Sequence, residues 1–237
     1  TSYFFLGQAV LYPFEIHKTF EAREFPYYII LGIFGGLVSV YFTRTYIYIE
    51  KLFGFIKSWY GKLLVGGICL GILVFFFPAL YGEGYAAVNA SLHGDISELF
   101  KNSMLYPYRS SLLIVFLMMF VIILLKVIAT SVTFGSGGIG GIFAPTLFTG
   151  AFTGLFIGKL INVLEIGAVS ETNFALVGMC GLISGVLHAP LTAIFLIAEI
   201  TSGYALFVPL MITAAFSYAT TRIFVSNSVY THQLARR

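Results

Sequence analysis

TFGSGGIGGIFAP, residues 133–145, carries glycines at 135, 137 and 140 in the G-x-G-x-x-G spacing of a dinucleotide-binding turn. Such a turn needs a strand before its first glycine and an acidic residue about 20 positions further on to hold the ribose. Here the preceding residues, SSLLIVFLMMFVIILLKVIATSV, make an apolar run of membrane-spanning length; a second apolar run follows, and the next acid is Glu165. That setting excludes a soluble βαβ unit. A glycine-rich turn entering a helix presents unpaired N–H groups at the positive end of the helix dipole, and this makes an anion site whether or not the guest is a nucleotide. The helix is expected to start within Gly140 to Pro145. Glycines at 137, 138, 140 and 141 let the backbone come close to a guest, and Pro145 in the first turn removes a donor that would otherwise be orphaned. An anion held at membrane depth by backbone dipoles points to permeation.

Composition places the stretch in lipid. Of 237 residues, 59% are hydrophobic and 10% charged, against roughly 25% charged in soluble domains, and mean hydropathy is +0.95. At about 20 apolar residues per crossing helix, five stretches qualify as spans: Pro26 to Ile49, Lys62 to Tyr81, Ser110 to Thr130, Ile142 to Leu164 and Gly203 to Phe224. Each must be helical, because lipid supplies no partners for backbone N–H and C=O. Asn173 to Gly185, Pro190 to Ile200 and Ala86 to His93 are apolar but too short to cross upright, and short helices at membrane depth occur where protein or a polar cavity surrounds them. Pro26, Pro190 and Pro209 stand near expected helix starts, and Gly82, Gly84 and Gly94 follow helical runs as turn residues. Asp95, Glu98, Lys101, Asn102 and Arg109 gather in one water-exposed loop, Gly94 to Ser111. Glycines inside the spans, as in GIFGG (32–36), GGICLG (66–71) and GAFTG (150–154), predict close helix packing.

Other function classes lack their residues. The net charge of +3 has no basic tract behind it, which argues against a nucleic-acid partner. Histidines 17, 93, 188 and 232 are scattered, and Cys69 and Cys180 form no C-x-x-C, so no metal site is legible. Both cysteines read as small core residues. No G-x-S-x-G elbow or Ser/His/Asp set suggests an enzyme, and nothing calls for a cofactor. Lys126 near its span end, Arg44 and Lys159 are expected to snorkel to the interface. Glu199 reads as a helix-end residue near an aqueous face or subunit contact, and His188 as a cap at a helix junction. The first residues carry no basic n-region and no initiator Met, and are expected to belong to a longer gene product.

GGIFAP, Gly140 to Pro145, resembles the G-x-F-x-P motif of the CLC family of chloride channels and proton-coupled chloride transporters. GMCGLISGVLHAPLTAIFLIAEIT, residues 178–201, is similar to that family's paired short helices after the motif, and NSVYTHQLARR, residues 227–237, to its last membrane helix with a tyrosine near the start. The resemblance implies an all-α integral membrane fold of tilted, broken and short helices, one of two inverted repeats. Residues 1–237 would then be the second half of the membrane domain. Residues 1–25 would supply a helix end and loop, 26–130 tilted spans with the polar loop at 94–111, and 140–237 the anion-site helix, the paired short helices and the final helix.

The resemblance further implies chloride transport, as a channel or a proton-coupled exchanger. The ion would be held by the backbone N–H groups of Ile142 and Phe143 and by the hydroxyl of Tyr230, within the helix motif Gly140, Gly141, Ala144 and Pro145, while the bulk of Phe143 helps to close the path. Amide dipoles and a phenol attract an anion without a full charge that would trap it. The expected partners are the bilayer, the anion, the first half of the membrane domain and a second subunit met through the apolar face from Pro190 to Phe224, in a multi-pass protein of the cell (inner) membrane. The family's first-half motifs, G-S-G-x-P and G-K/R-E-G-P, do not occur. Neither role passes to Ser136 or Glu83, and the chain alone is expected not to transport. A non-transporting membrane scaffold, in which the glycines only permit packing, is the rival expectation.

Overall fold

The computed structural model describes residues 21–92, 111–201 and 204–234. Among them are nine α-helices: α1 Phe25–Gly54, α2 Trp59–Phe76, α3 Tyr85–Leu92, α4 Leu112–Gly135, α5 Phe143–Val163, α6 Glu171–Leu187, α7 Pro190–Thr201, α8 Phe207–Phe224 and α9 Val229–Leu234. Five are long and apolar enough to cross a membrane, whereas α6 and α7 are shorter apolar helices. The five expected spans and three short pieces are therefore all present, with shifted ends. Apart from Ser111, the expected polar loop at 94–111 lies outside the described residues.

The shifts have local causes. α4 runs past Thr130 to Gly135 because its hydroxyls satisfy themselves on the preceding turn: Thr130 Oγ1 donates to the Lys126 carbonyl at 2.8 Å, Ser131 Oγ to Val127 at 2.7 Å and Thr133 Oγ1 to Ala129 at 2.9 Å. α2 starts early, where Ser58 caps it by accepting from the Gly61 N–H at 3.4 Å. It stops at Phe76, not Tyr81, because Phe77 precedes Pro78 and takes φ −129°, ψ 79°, outside the helical region. A 3-10 turn, Pro78–Leu80, follows.

Helix α6 sits at the centre. Every residue from Asn173 to Val186 is buried, and α6 packs against α1, α5, α7 and α8. A helix that is apolar all round needs such enclosure. Its tightest partner is α5, and backbone rather than side chain makes the contact. A Cβ on Gly150 would stand 2.6 Å from Met179 Cα, and one on Gly178 would stand 2.9 Å from Gly154 Cα. The glycines of GAFTG thus serve packing, as expected.

Polar bonds join the remaining layers. Thr213, Ser217 and Thr221 recur every fourth residue on α8, and hence on one face. Thr213 Oγ1 donates to Tyr28 O at 3.1 Å and Thr221 Oγ1 to Gly36 O at 3.2 Å, both on α1; Ser217 Oγ donates to Gly181 O on α6 at 2.7 Å. Ser184 on α6 returns a bond to Ala214 O at 2.8 Å. In lipid, where hydrophobic burial gives helices no reason to associate, such bonds contribute about 0.6 kcal/mol each.

Candidate functional site

The turn singled out by its glycines ends in α5. The first ladder bond of that helix runs from the Thr146 N–H to the Ile142 carbonyl at 3.1 Å. The N–H groups of Ile142, Phe143 and Ala144 consequently have no backbone acceptor among the described residues, and Pro145, third in the helix, has no N–H to lose. Free donors stand at the positive end of a helix 21 residues long. The helix proper begins at Phe143, with Ile142 at its N-cap.

Side chains on either side of this point go opposite ways. Ile142 is buried among Phe42, Tyr46, Val127, Val186 and Val229, a cluster that fixes the N-cap against α1, α4, α6 and α9. Phe143 is half-buried and lines a cavity of about 800 Å³ together with Gly140, Gly141, Ala144 and Pro145. The same cavity is lined by residues from the turn after α2 and from α4: Tyr81, Gly82, Glu83, Lys126, Thr130 and Thr133. Tyr230 follows Val229 in α9 and is 44% exposed; neither it nor Ile142 forms part of the cavity wall.

Lys126 departs from the expected interfacial position. It does not snorkel, because α4 continues beyond it to Gly135 and its side chain is 2% exposed. The ammonium donates to the carbonyls of Leu80 at 3.2 Å and Gly82 at 2.8 Å, and stands 4.6 Å from the centroid of the Phe148 ring on α5. Gly82 (φ 62°) and Gly84 (φ 82°) take left-handed conformations in the turn it binds. A helix end drawn at Thr130 hid this; drawn at Gly135 it leaves a lysine stranded mid-span, which marks a group needing partners.

The other polar expectations sort cleanly. Arg44 is exposed, as a snorkelling residue is. Lys159 is instead half-buried and paired with Glu171 at 3.4 Å. Glu199 is exposed at the end of α7. Cys180 is buried and Cys69 half-buried, and both are free. Among the described residues no cluster of three or more His, Cys, Asp or Glu is placed to hold a metal.

His188 is the C-cap of α6 in a left-handed conformation, φ 56°, with its ring 5.7 Å from and perpendicular to that of Tyr218. Its Nε2 is buried with no hydrogen-bond partner among the described residues. Burial, and secondarily the charge of Arg222, holds the imidazole below its ordinary 6.5. The unfolded chain therefore takes up a proton more readily than the folded one, so stability is full above pH 6.5 and falls as pH drops below it. In His188→Asn, which tolerates the same backbone, the loss of thermal stability in detergent between pH 8 and pH 5 is expected to be smaller than in the parent. Equal losses would remove His188 from the pH response.

A sequence profile described as "Voltage gated chloride channel" matches residues 1–222. The chain belongs to the voltage-gated chloride channel family. Among CLC relatives, it is similar to chloride channel protein CLC-f of Arabidopsis thaliana, 32% identical over 81% of this chain and 24% of that one, and to the voltage-gated ClC-type chloride channel ClcB of Escherichia coli, 28% identical over 97% and 51%. It thus spans a quarter to a half of the length of these curated CLC relatives. Its fold is similar to that of a slow cyanobacterial Cl-/H+ antiporter, TM-score 0.65 at 23% identity over 98% of this chain and 51% of that one. A CLC-type fluoride/proton antiporter matches with TM-score 0.67 at 19% identity, over 92% and 48%. The chain is accordingly a multi-pass integral membrane protein of CLC fold.

Proposed function

We propose that this chain supplies the second-half portion of an anion-conducting CLC membrane domain, in which chloride or a similar anion is held by the N–H groups of Ile142 and Phe143 and the hydroxyl of Tyr230. One observation carries the reading. The first amides of α5 have no acceptor among the described residues, and Phe143, Ala144 and Pro145 open onto a cavity of about 800 Å³. Dipoles attract an anion without trapping it, as conduction requires. The relatives add that proteins of this family are named as chloride channels and as chloride/proton or fluoride/proton antiporters.

Tyr230 belongs to the same reading through its neighbour: Val229 and Ile142 share one buried cluster, so α9 starts beside the α5 mouth. The partner surfaces follow from exposure. Leu191, Phe195, Val208 and Met211 on α7 and α8 present large apolar side chains outward, and on this reading they meet a second subunit. Along α2 only Gly66 is buried, which leaves a helix to be covered by lipid and by the first half of the membrane domain. The protein would reside in the cell (inner) membrane and need no cofactor.

Chloride efflux from liposomes carrying the full-length protein tests the assignment. Tyr230→Ala and Phe143→Ala are each expected to change the rate several-fold, Phe143→Ala by opening the path and Tyr230→Ala by weakening the hold on the ion. Unchanged efflux in both would favour a scaffold whose glycines only pack helices.

A further inference from the structure

Lys126 is a full positive charge, 2% exposed, at the wall of the cavity onto which the α5 mouth opens. Its three contacts, the carbonyls of Leu80 and Gly82 and the face of Phe148, are all ones that suit an ammonium. None is a carboxylate. Carbonyl dipoles stabilise the charge without cancelling it, so the cavity retains it. A role confined to tying the 78–84 turn to α4 and α5 would need donors but no charge, and a charge is costly at this depth.

Position makes that charge felt by a guest. Phe148 stands five residues into α5 from Phe143, about 7.5 Å along the helix axis. The ammonium above its ring thus lies on the order of 10 Å from the mouth amides. At an effective dielectric of about 20, a unit charge at that range changes anion affinity roughly tenfold. Glu83, on the same wall, opposes it, but Glu83 is exposed to solvent whereas Lys126 is sealed. Water screens the first far more than the second, which leaves the cavity net attractive to anions.

We propose that the buried ammonium of Lys126 sets the anion affinity of the α5 cavity through its charge, in addition to anchoring the 78–84 turn. This rests on reading the α5 mouth as the anion site. Lys126 acts on affinity from a distance and does not touch the ion.

Chloride titration of the full-length protein in detergent, by calorimetry, separates charge from anchoring. Lys126→Gln keeps two N–H donors for the Leu80 and Gly82 carbonyls and loses the charge; it is expected to raise the chloride dissociation constant about tenfold. Lys126→Arg keeps the charge and is expected to stay within about threefold of the parent. An unchanged constant in folded Lys126→Gln, or an equal rise in both variants, overturns the proposal in favour of a purely structural lysine. If Lys126→Gln does not fold, Thr133→Lys adds a second charge at a half-buried position on the same cavity: a dissociation constant lowered at least threefold supports control by charge, and an unchanged one refutes it. Replacing the Phe143 N–H by an ester oxygen serves as the separate arm. If the ester leaves chloride binding intact, the site assignment itself fails; if the ester weakens binding and Lys126→Gln does not, only the role of the lysine fails.

Discussion

Gly154→Leu is expected to abolish the folded state. A Cβ at this position would overlap the carbonyl of Phe174 and come within 2.8 Å of Ala175 Cα. These are backbone atoms of α6, which rotamer changes cannot move. Gly178 opposes it across the interface, so both helices have given up side chains at the same crossing. Overpacking a well-filled contact costs about 1–3 kcal/mol for extra methylenes, and Gly154→Ala should lie at the upper end of that range because the clash is with main chain. Leucine would have to push α5 and α6 apart and unseat α1 and α8 with them. Thermal unfolding in detergent and the elution profile on gel filtration read the effect. Gly67→Ala is the control: nothing lies within 4 Å of a Cβ there, and removing a mid-helix glycine is expected to be neutral or to stabilise by up to about 1 kcal/mol. If Gly154→Leu elutes and melts like the parent, the α5–α6 crossing is not as close as described.

The second large effect concerns one atom. Substituting the Ile142–Phe143 amide by an ester, with both side chains retained, removes the Phe143 N–H. That N–H makes no ladder bond, because the ladder of α5 starts at Thr146. The ester loses no ladder donor but weakens the Ile142 carbonyl, which accepts from Thr146 N–H and Oγ1, so a modest loss of stability is expected, whereas a hydrogen bond to an anion contributes about 1.5–3 kcal/mol. Chloride affinity is expected to fall roughly 10- to 100-fold. The same replacement at Leu147 would instead remove a ladder donor and show its effect in stability. A chloride dissociation constant unchanged by the ester at Phe143 would remove this amide from the site.

What the sequence showed and what it hid divide along physical lines. The spans were legible because lipid enforces length and apolarity together, and the start of α5 because Pro145 after a run of glycines suits a first helical turn. The end of α4 was not, because the apolar run stops near Thr130 whereas the hydroxyls of Thr130, Ser131 and Thr133 bond back one turn and the helix continues. The error carried over to Lys126, whose burial depends on where α4 stops. Its partners, the carbonyls of Leu80 and Gly82, lie more than forty residues away and are backbone, so no side-chain pattern announces them. Ile142 looked like part of a motif alone, yet its side chain also fixes the helix start against four other helices.

The enclosure of α6 imposes an order on biogenesis. At 17 residues it extends roughly 25 Å, short of the roughly 30 Å of a hydrocarbon layer, and Asn173 and Ser184 lie within it. Such a segment has little tendency to leave the translocon for lipid unaided. It is held first against α1 and α5, which precede it in the chain, and α8, synthesised after it, completes the enclosure.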